Sequence, residues 1–367
     1  MQASSVSRWR MVLLGSAAAI VIAGGAIGVS ARSASPATPA SASAHAARAD
    51  APASFADLVA KAKPAVVSVR VTIAPDKANL QSLSADGITP SANQTILGLG
   101  SGFFISSDGY IVTNNHVVAH ANSVRVTLAN GHSYKAKVVG TDPKTDLALL
   151  KVDIHDAPYV KFAKAPPRVG DWVVAVGNPY GLSETVTAGI VSAQGRDIGT
   201  DTYDKYLQID APINKGNSGG PAFDSAGDVV GVNTAIFSPS GGSVGIGFDI
   251  PSDTARQVIA QLKAHGHVDH GYLGVQVQAL TPDLADSMGI HITQGVIIDS
   301  AQKAGAAARA GLKAGDVVTA VDGKSVTDPG EFARTIGMMA SKRQATLTVL
   351  RNGRDRTVAV TLGEMPT

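Results

Sequence analysis

Short apolar runs broken by turn residues make this a mainly β chain, and its length makes it more than one domain. From Phe55 onward such runs recur at 65–73, 100–105, 110–113, 124–128, 134–139, 147–152, 172–176, 185–192, 206–209, 229–234 and 245–249. Many short strands at regular spacing predict a sandwich or barrels. The 39 glycines and absence of cysteine point to loop-rich β structure held by packing alone, without disulfides or thiolate metal sites. At 367 residues the chain exceeds one ordinary core, which sets an expectation of about two domains plus additional segments.

Several elements have local signals. Asn130-Gly131 between two runs reads as a hairpin turn, because both residues tolerate positive φ. Pro251-Ser252-Asp253 opens a helical pattern through Leu262, with Val258, Ile259 and Leu262 on one stripe and Gly266 beyond the end. That helix closes the first domain. The last hundred residues carry their own signals, including short helices at 304–310 and 328–336, and form a second, smaller domain. Residues 75–95, polar and without apolar period, read as a long mobile loop.

Composition narrows the function. Hydrophobic residues at 44% and charged residues at 16% suit a globular protein. A net charge of +2 with scattered Lys and Arg provides no basic stripe, which argues against nucleic acid. His265, His267 and His270 cluster without a nearby carboxylate pair, so no metal site and no cofactor is expected. Asp197, Asp201 and Asp204 read as a solvated face rather than a calcium loop.

Arg8 and Arg10 precede 19 uncharged residues from Met11 to Val29, close to the ~20 needed to cross a bilayer. Residues 1–31 are therefore expected to be a membrane anchor or signal segment that places the remainder outside the cytoplasm, in the cell envelope. The run exceeds the usual signal-peptide core, which favours an uncleaved anchor over cleavage near Val29-Ser30-Ala31. Residues 32–52, almost entirely Ala, Ser, Pro and Thr, lack the apolar groups needed to offset ordering entropy and read as a flexible linker.

A seryl oxygen that attacks carbonyls needs a base, an orienting carboxylate and donors for the developing oxyanion. Gly216-Asn217-Ser218-Gly219-Gly220-Pro221 permits a tight turn that aims the Gly216 and Ser218 amides at one spot, although an ordinary Gly-Asn-Ser turn fits those six residues equally well. His116, just after the strand at 110–113, is the candidate base, and Asp146, before the strand at 147–152, the candidate orienter. Their conjunction in the order His, Asp, Ser is far more specific than any one of them.

The blocks 113–118, 146–150 and 214–221 resemble the three active-site segments of the HtrA (high-temperature-requirement) serine proteases, and 245–251 resembles that family's strand beyond the specificity loop. The resemblance implies a chymotrypsin-like double β-barrel peptidase domain over 53–264 and a small α+β PDZ domain over 265–367. It implies that Ser218 attacks the scissile carbonyl, His116 transfers the proton, Asp146 supports the imidazolium, and the Gly216 and Ser218 amides bind the oxyanion. Lys215 and Asp249 depart from the family, which often has Pro or Arg, and usually Ala, at those positions.

By the same resemblance Pro212, six residues before the nucleophile, lies at the base of the specificity pocket, with Ile213 and Ile246 beside it. An uncharged floor disfavours Lys and Arg at P1 and points to small or aliphatic residues. Tyr272-Leu273-Gly274-Val275 resembles a PDZ carboxylate-binding loop, and 310–318 with 321–324 resembles the centre of such a domain. Hydrophobic C-terminal peptides, unfolded or misfolded protein substrates and a homotrimer follow from the resemblance, as does a regulatory role for the loop around Asp197–Asp204. A chaperone-like or PDZ scaffold protein, or an envelope tether without chemistry, would not need the three active-site blocks.

Overall fold

A computed structural model describes residues 54–74, 96–177, 185–199, 205–239 and 241–365. The expectations for residues 1–31, 32–52 and 75–95 lie outside the described residues. Among the described residues no helix is long and apolar enough to cross a membrane.

A first helix, α1 (Ala56–Ala62), leads into six antiparallel strands, β1 (Val66–Ile73), β2 (Ile96–Phe104), β3 (Tyr110–Asn114), β4 (Ser123–Leu128), β5 (Ser133–Asp142) and β6 (Leu147–Lys151). They close into a barrel in the order β1-β2-β3-β6-β5-β4. A second barrel, ordered β10-β11-β12-β9-β8-β7, is made by β7 (Trp172–Gly177), β8 (Thr185–Arg196), β9 (Tyr206–Ile209), β10 (Pro221–Phe223), β11 (Val229–Ile236) and β12 (Gly247–Pro251). The double barrel is the architecture the resemblance implies.

Alternation builds three apolar layers. Val67, Val69, Val71, Ile111 and Leu150 fill the first barrel, while Val173, Val191, Ile209, Ile213 and Val230 fill the second. The opposite faces of the same strands, among them Phe103, Leu149, Val174, Val232 and Phe248, meet between the barrels. Closure removes the sheet edges that an open sheet would expose.

Several strands exceed their expected bounds, β2, β5, β8 and β11 among them. Residues 96–99 extend β2, whose register with β1 runs from Val66↔Phe103 to Ile73↔Ile96. Gly98, Gly100 and Gly102 weaken strand propensity, yet the close pairing depends on them: a Cβ at Gly100 would lie 2.6 Å from Val117 Cγ1. At the expected hairpin, Gly131 has φ +85° and β4 pairs with β5.

A short helix, α2 (Asn115–Val118), follows β3, and α3 (Ser252–His265) follows β12. Ala255, Val258, Ile259 and Leu262 bury one stripe of α3 in the inter-barrel core, and Gly266, at φ +78°, ends the helix with its amide on the Leu262 carbonyl. The C-terminal unit has a sheet ordered β14 (Val275–Ala279), β15 (Val296–Ala301), β16 (Val317–Val321), β18 (Gln344–Arg351) and β19 (Arg354–Thr361), with β17 (Lys324–Ser325) paired to β16. A two-stranded ribbon of β13 (Gly271–Tyr272) and β20 (Gly363–Glu364) accompanies it. Its helices are α4 (Pro282–Ser287), α5 (Ala306–Arg309) and α6 (Pro329–Gly337), the last capped by Asp328, whose carboxylate accepts the Glu331 amide at 2.8 Å.

The three clustered histidines separate. His265 and His267 stay together, with ring centroids 6.3 Å apart, whereas His270 is buried. Its Nε2 lies 2.9 Å from Asp142 Oδ1 at the end of β5, and its Nδ1 lies 2.9 Å from the Gly337 carbonyl. Two acceptors require two N–H donors, so the ring is an imidazolium paired with a buried carboxylate, joining the barrels to the C-terminal unit. Burial pulls its pKa down, but the Asp142 carboxylate and the Gly337 carbonyl more than offset this and hold it above the ordinary 6.5. A raised folded-state pKa gives stability that is fully present below the unfolded value and lost as pH rises through the folded one. His270→Ala is expected to cost roughly 3 kcal/mol of stability at about pH 6 and to remove this loss at alkaline pH, measured by denaturant titration across pH.

Candidate active site

Asp146 and His116 meet at the mouth of the first barrel. Asp146 sits in the left-handed region at φ +51°, which ends the turn from β5 and starts β6. Its carbonyl accepts the Asn115 amide at 3.0 Å and the Asn114 side-chain amide at 2.9 Å, so both flanks of the turn are pinned. Its carboxylate is bidentate toward His116: Oδ1 accepts the backbone amide at 2.8 Å and Oδ2 lies 2.6 Å from Nδ1. A carboxylate can only accept there, so Nδ1 carries the proton and Nε2 is left as the base. The imidazole is about half exposed, 48% for the side chain against 12% for Asp146.

Ser218 sits on a turn of the second barrel that the first barrel holds. Ser101 on β2 donates its amide to the Ser218 carbonyl at 2.8 Å and its hydroxyl to the Gly216 carbonyl at 2.6 Å. Thr113 on β3 donates to the Ser101 carbonyl at 2.7 Å. From the other side, Asn233 on β11 accepts the Gly219 amide at 2.8 Å and donates its own amide to the Gly220 carbonyl at 2.9 Å. Gly219, at φ +85°, has no room for a side chain, since a Cβ would collide with the Ser101 carbonyl and the Thr113 hydroxyl. Among the described residues the amides of Gly216 and Ser218 have no hydrogen-bond partner, which leaves both as donors for an anion at this turn.

Ser218 Oγ donates to the Thr234 carbonyl at 3.3 Å rather than to His116. The same Thr234 accepts the Asn114 side-chain amide on its hydroxyl at 3.0 Å, so the serine and the histidine segments are tied through one β11 residue. Ser101, Thr113, Asn114, Asn233 and Thr234 were not singled out in the sequence. Asn114 and Thr113 stand inside the His116 block and could have been; the others act on partners far along the chain.

Beside Ser218 lies a cleft of about 190 Å³, lined by Ile213, Asn214, Lys215, Ser218, Thr234, Ala235, Ile236, Ser238 and Gly241. Ile213 lies in the wall, whereas Pro212 is exposed and outside this lining, its carbonyl accepting the Thr187 hydroxyl at 2.9 Å. Ile246 is likewise outside the lining, half-buried against the inter-barrel core. Ile213, Ala235 and Ile236 give the walls their apolar part, and among the described lining residues Lys215 is the one with a charge.

A second cleft, about 180 Å³, opens in the C-terminal unit between the 272–275 loop and α6. All four expected residues, Tyr272, Leu273, Gly274 and Val275, line it, together with Val277, Phe332, Ile336 and Met365. The N-terminal end of α6 touches the second barrel, with Glu331 3.4 Å from Lys205 just before β9. Of the expected acidic face, Asp197 is described and caps the Gly199 amide at 2.8 Å; Asp201 and Asp204 lie outside the described residues.

Residues 100–232 match the trypsin-like peptidase domain family, and residues 271–362 match the PDZ domain family. A probable periplasmic serine endoprotease DegP-like of Brucella suis biovar 1 is 48% identical over 355 residues, covering 86% of this chain and 69% of that protein. The corresponding Pseudomonas fluorescens protein is 41% identical over 335 residues, covering 85% and 70%. The solved HtrA-type protease AlgW with tripeptide superposes with a TM-score of 0.74 at 40% identity, covering 86% of this chain and 98% of that one.

Removing the Ser101 hydroxyl tests the inter-barrel clamp. Ser101→Ala orphans the buried Gly216 carbonyl, and roughly tenfold lower labelling of Ser218 by a fluorophosphonate is expected while the fold persists. Labelling equal to that of the parent protein would show that the clamp does not shape the turn.

Proposed function

Because this chain belongs to the HtrA family of serine endoproteases, we propose that it cleaves unfolded or signalling proteins outside the cytoplasm by a His116-Asp146-Ser218 triad. The observation that carries this reading is the bidentate Asp146–His116 pair facing a turn whose Gly216 and Ser218 amides are unengaged. In this mechanism Ser218 rotates away from the Thr234 carbonyl and attacks the scissile carbonyl as His116 Nε2 takes its proton. Asp146 stabilises the imidazolium, which then protonates the leaving amine. The two amides hold the oxyanion, each such donor being worth about 3 kcal/mol in the transition state.

The 272–275 loop and α6 form the groove for a hydrophobic C-terminal peptide, which would add a strand beside β14, an edge of its sheet. Occupancy would reach the protease through Glu331 and Lys205. The protease domain spans 53–264 and the peptide-binding domain 265–367. The apolar run at 11–29 would tether the enzyme or direct its export, and trimerisation would use the face carrying Phe55, which packs on the partly exposed Trp172 at 5.7 Å.

The protein is expected to degrade unfolded casein, and Ser218→Ala to abolish this; casein left intact by the parent protein with and without C-terminal peptides would overturn the assignment. On a P1 peptide panel, Val, Ala and Leu are expected to exceed Lys and Arg by at least about tenfold in kcat/KM, because among the described residues no carboxylate lines the cleft to offset a buried cation.

A further inference from the structure

Asp249, on β12, is a carboxyl group placed in an apolar core. It is 0% exposed, and neither carboxylate oxygen has a hydrogen-bond partner. Strand alternation explains where it points. Phe248 and Ile250 face the inter-barrel core, so Gly247 and Asp249 share the other face. That face is the interior of the second barrel, since a Cβ at Gly247 would lie 3.0 Å from Ile213 and 3.2 Å from Ile209. Gly231 makes room: a Cβ there would lie 2.8 Å from the Asp249 Cβ.

Directly opposite Asp249 on β11 is Asn233, and on β9 Leu207. Opposed residues of antiparallel strands have Cβ atoms about 5 Å apart on the same face. The Asn233 side chain is buried too, and its Oδ1 has no hydrogen-bond partner, while Nδ2 donates to the Pro221 carbonyl at 3.3 Å. The orphaned oxygens on these opposed residues repel one another if the carboxyl is ionised. One proton on Asp249 removes the charge and gives Asn233 Oδ1 a donor.

We propose that Asp249 is a positioning residue for the nucleophile: it stays protonated inside the second barrel and donates to Asn233 Oδ1, fixing the residue that grips the Ser218 turn. Asn233 bonds Gly219 and Gly220 through its backbone and Pro221 through its side chain, the three residues that follow Ser218. Burial pushes the Asp249 carboxyl up to about 8, and no charged group of β9, β11 or the barrel interior acts on it among the described residues. Alkaline pH therefore removes the proton, leaves a carboxylate facing a carbonyl oxygen, and loosens Asn233. The catalytic consequence rests on the reading of Ser218 as nucleophile; the structural one does not.

The test uses the full chain, Asp249→Asn and Asp249→Ala, at pH values from about 6 to about 9.5, spanning the carboxyl titration. Three readouts are the infrared C=O stretch of a protonated carboxyl, hydrogen exchange of a peptide covering 214–223, and kcat and KM on a P1-Val peptide. In the parent protein the carboxyl band is expected to vanish as pH rises, exchange at 214–223 to quicken roughly tenfold beyond its intrinsic pH dependence, and kcat to fall in step with KM unchanged. Asp249→Asn, whose amide can donate to the same oxygen, should lack the band, keep slow exchange and show no alkaline fall. Asp249→Ala should exchange fast at every pH.

A parent protein without the carboxyl band at acid pH would overturn the proposal. So would exchange at 214–223 that responds to pH equally in the parent and Asp249→Asn. If exchange follows the carboxyl as expected but no variant cleaves peptide, the positioning stands and the protease reading fails.

Discussion

The Ser218 turn belongs to the second barrel by sequence, but its conformation depends on the first. Ser101 reaches across the seam with two hydrogen bonds, one to the carbonyl of Ser218 and one to that of Gly216. They hold the Gly216–Asn217 and Ser218–Gly219 peptide units, which bracket the unit that carries the Ser218 amide. The rest of the double barrel places this clamp. Glycines in β2 let the strand lie flat on β1 and close to Val117, Thr113 fixes the Ser101 peptide, and the inter-barrel core sets the spacing of the two sheets. A catalytic group shared by two cores is a demanding arrangement, because each core must be right before the site exists.

Much of the fold was legible because its signals are local. Alternation marked most barrel strands, and the stripe from Ala255 to Leu262 with Gly266 behind it marked the long helix. The strand Pro221–Phe223 escaped notice because three residues make no period, and residues 96–99 escaped because Gly98 and Gly100 resemble a loop. Their pairing is decided by the partner strand, which a single segment does not reveal.

The site divides the same way. His116, Asp146 and Ser218 stand in compact blocks, whereas Ser101 and Thr234 are common residues whose roles come from partners 115 and 120 positions away or across a barrel. Counting back six residues from Ser218 presumes one loop path, and along the path observed Pro212 is exposed while Ile213 lines the cleft. His270 was hidden by its neighbours, since three histidines within six positions look alike until burial separates them.

The helix α6 has nine residues, so it spans only about 13 Å. Along that length Phe332 and Ile336 form a wall of the C-terminal cleft, Glu331 meets Lys205 at one end, and the Gly337 carbonyl holds His270 at the other. A helix this short bends little, so it behaves as a beam with one end resting on Lys205 of the second barrel and the other tied through His270 to Asp142 of the first, with its load applied at mid-span. Any guest that widens the cleft must either lift one of the supports or leave the beam where it is. A guest that lifted a support would then strain the Lys205 or Asp142 attachment and so load the barrels.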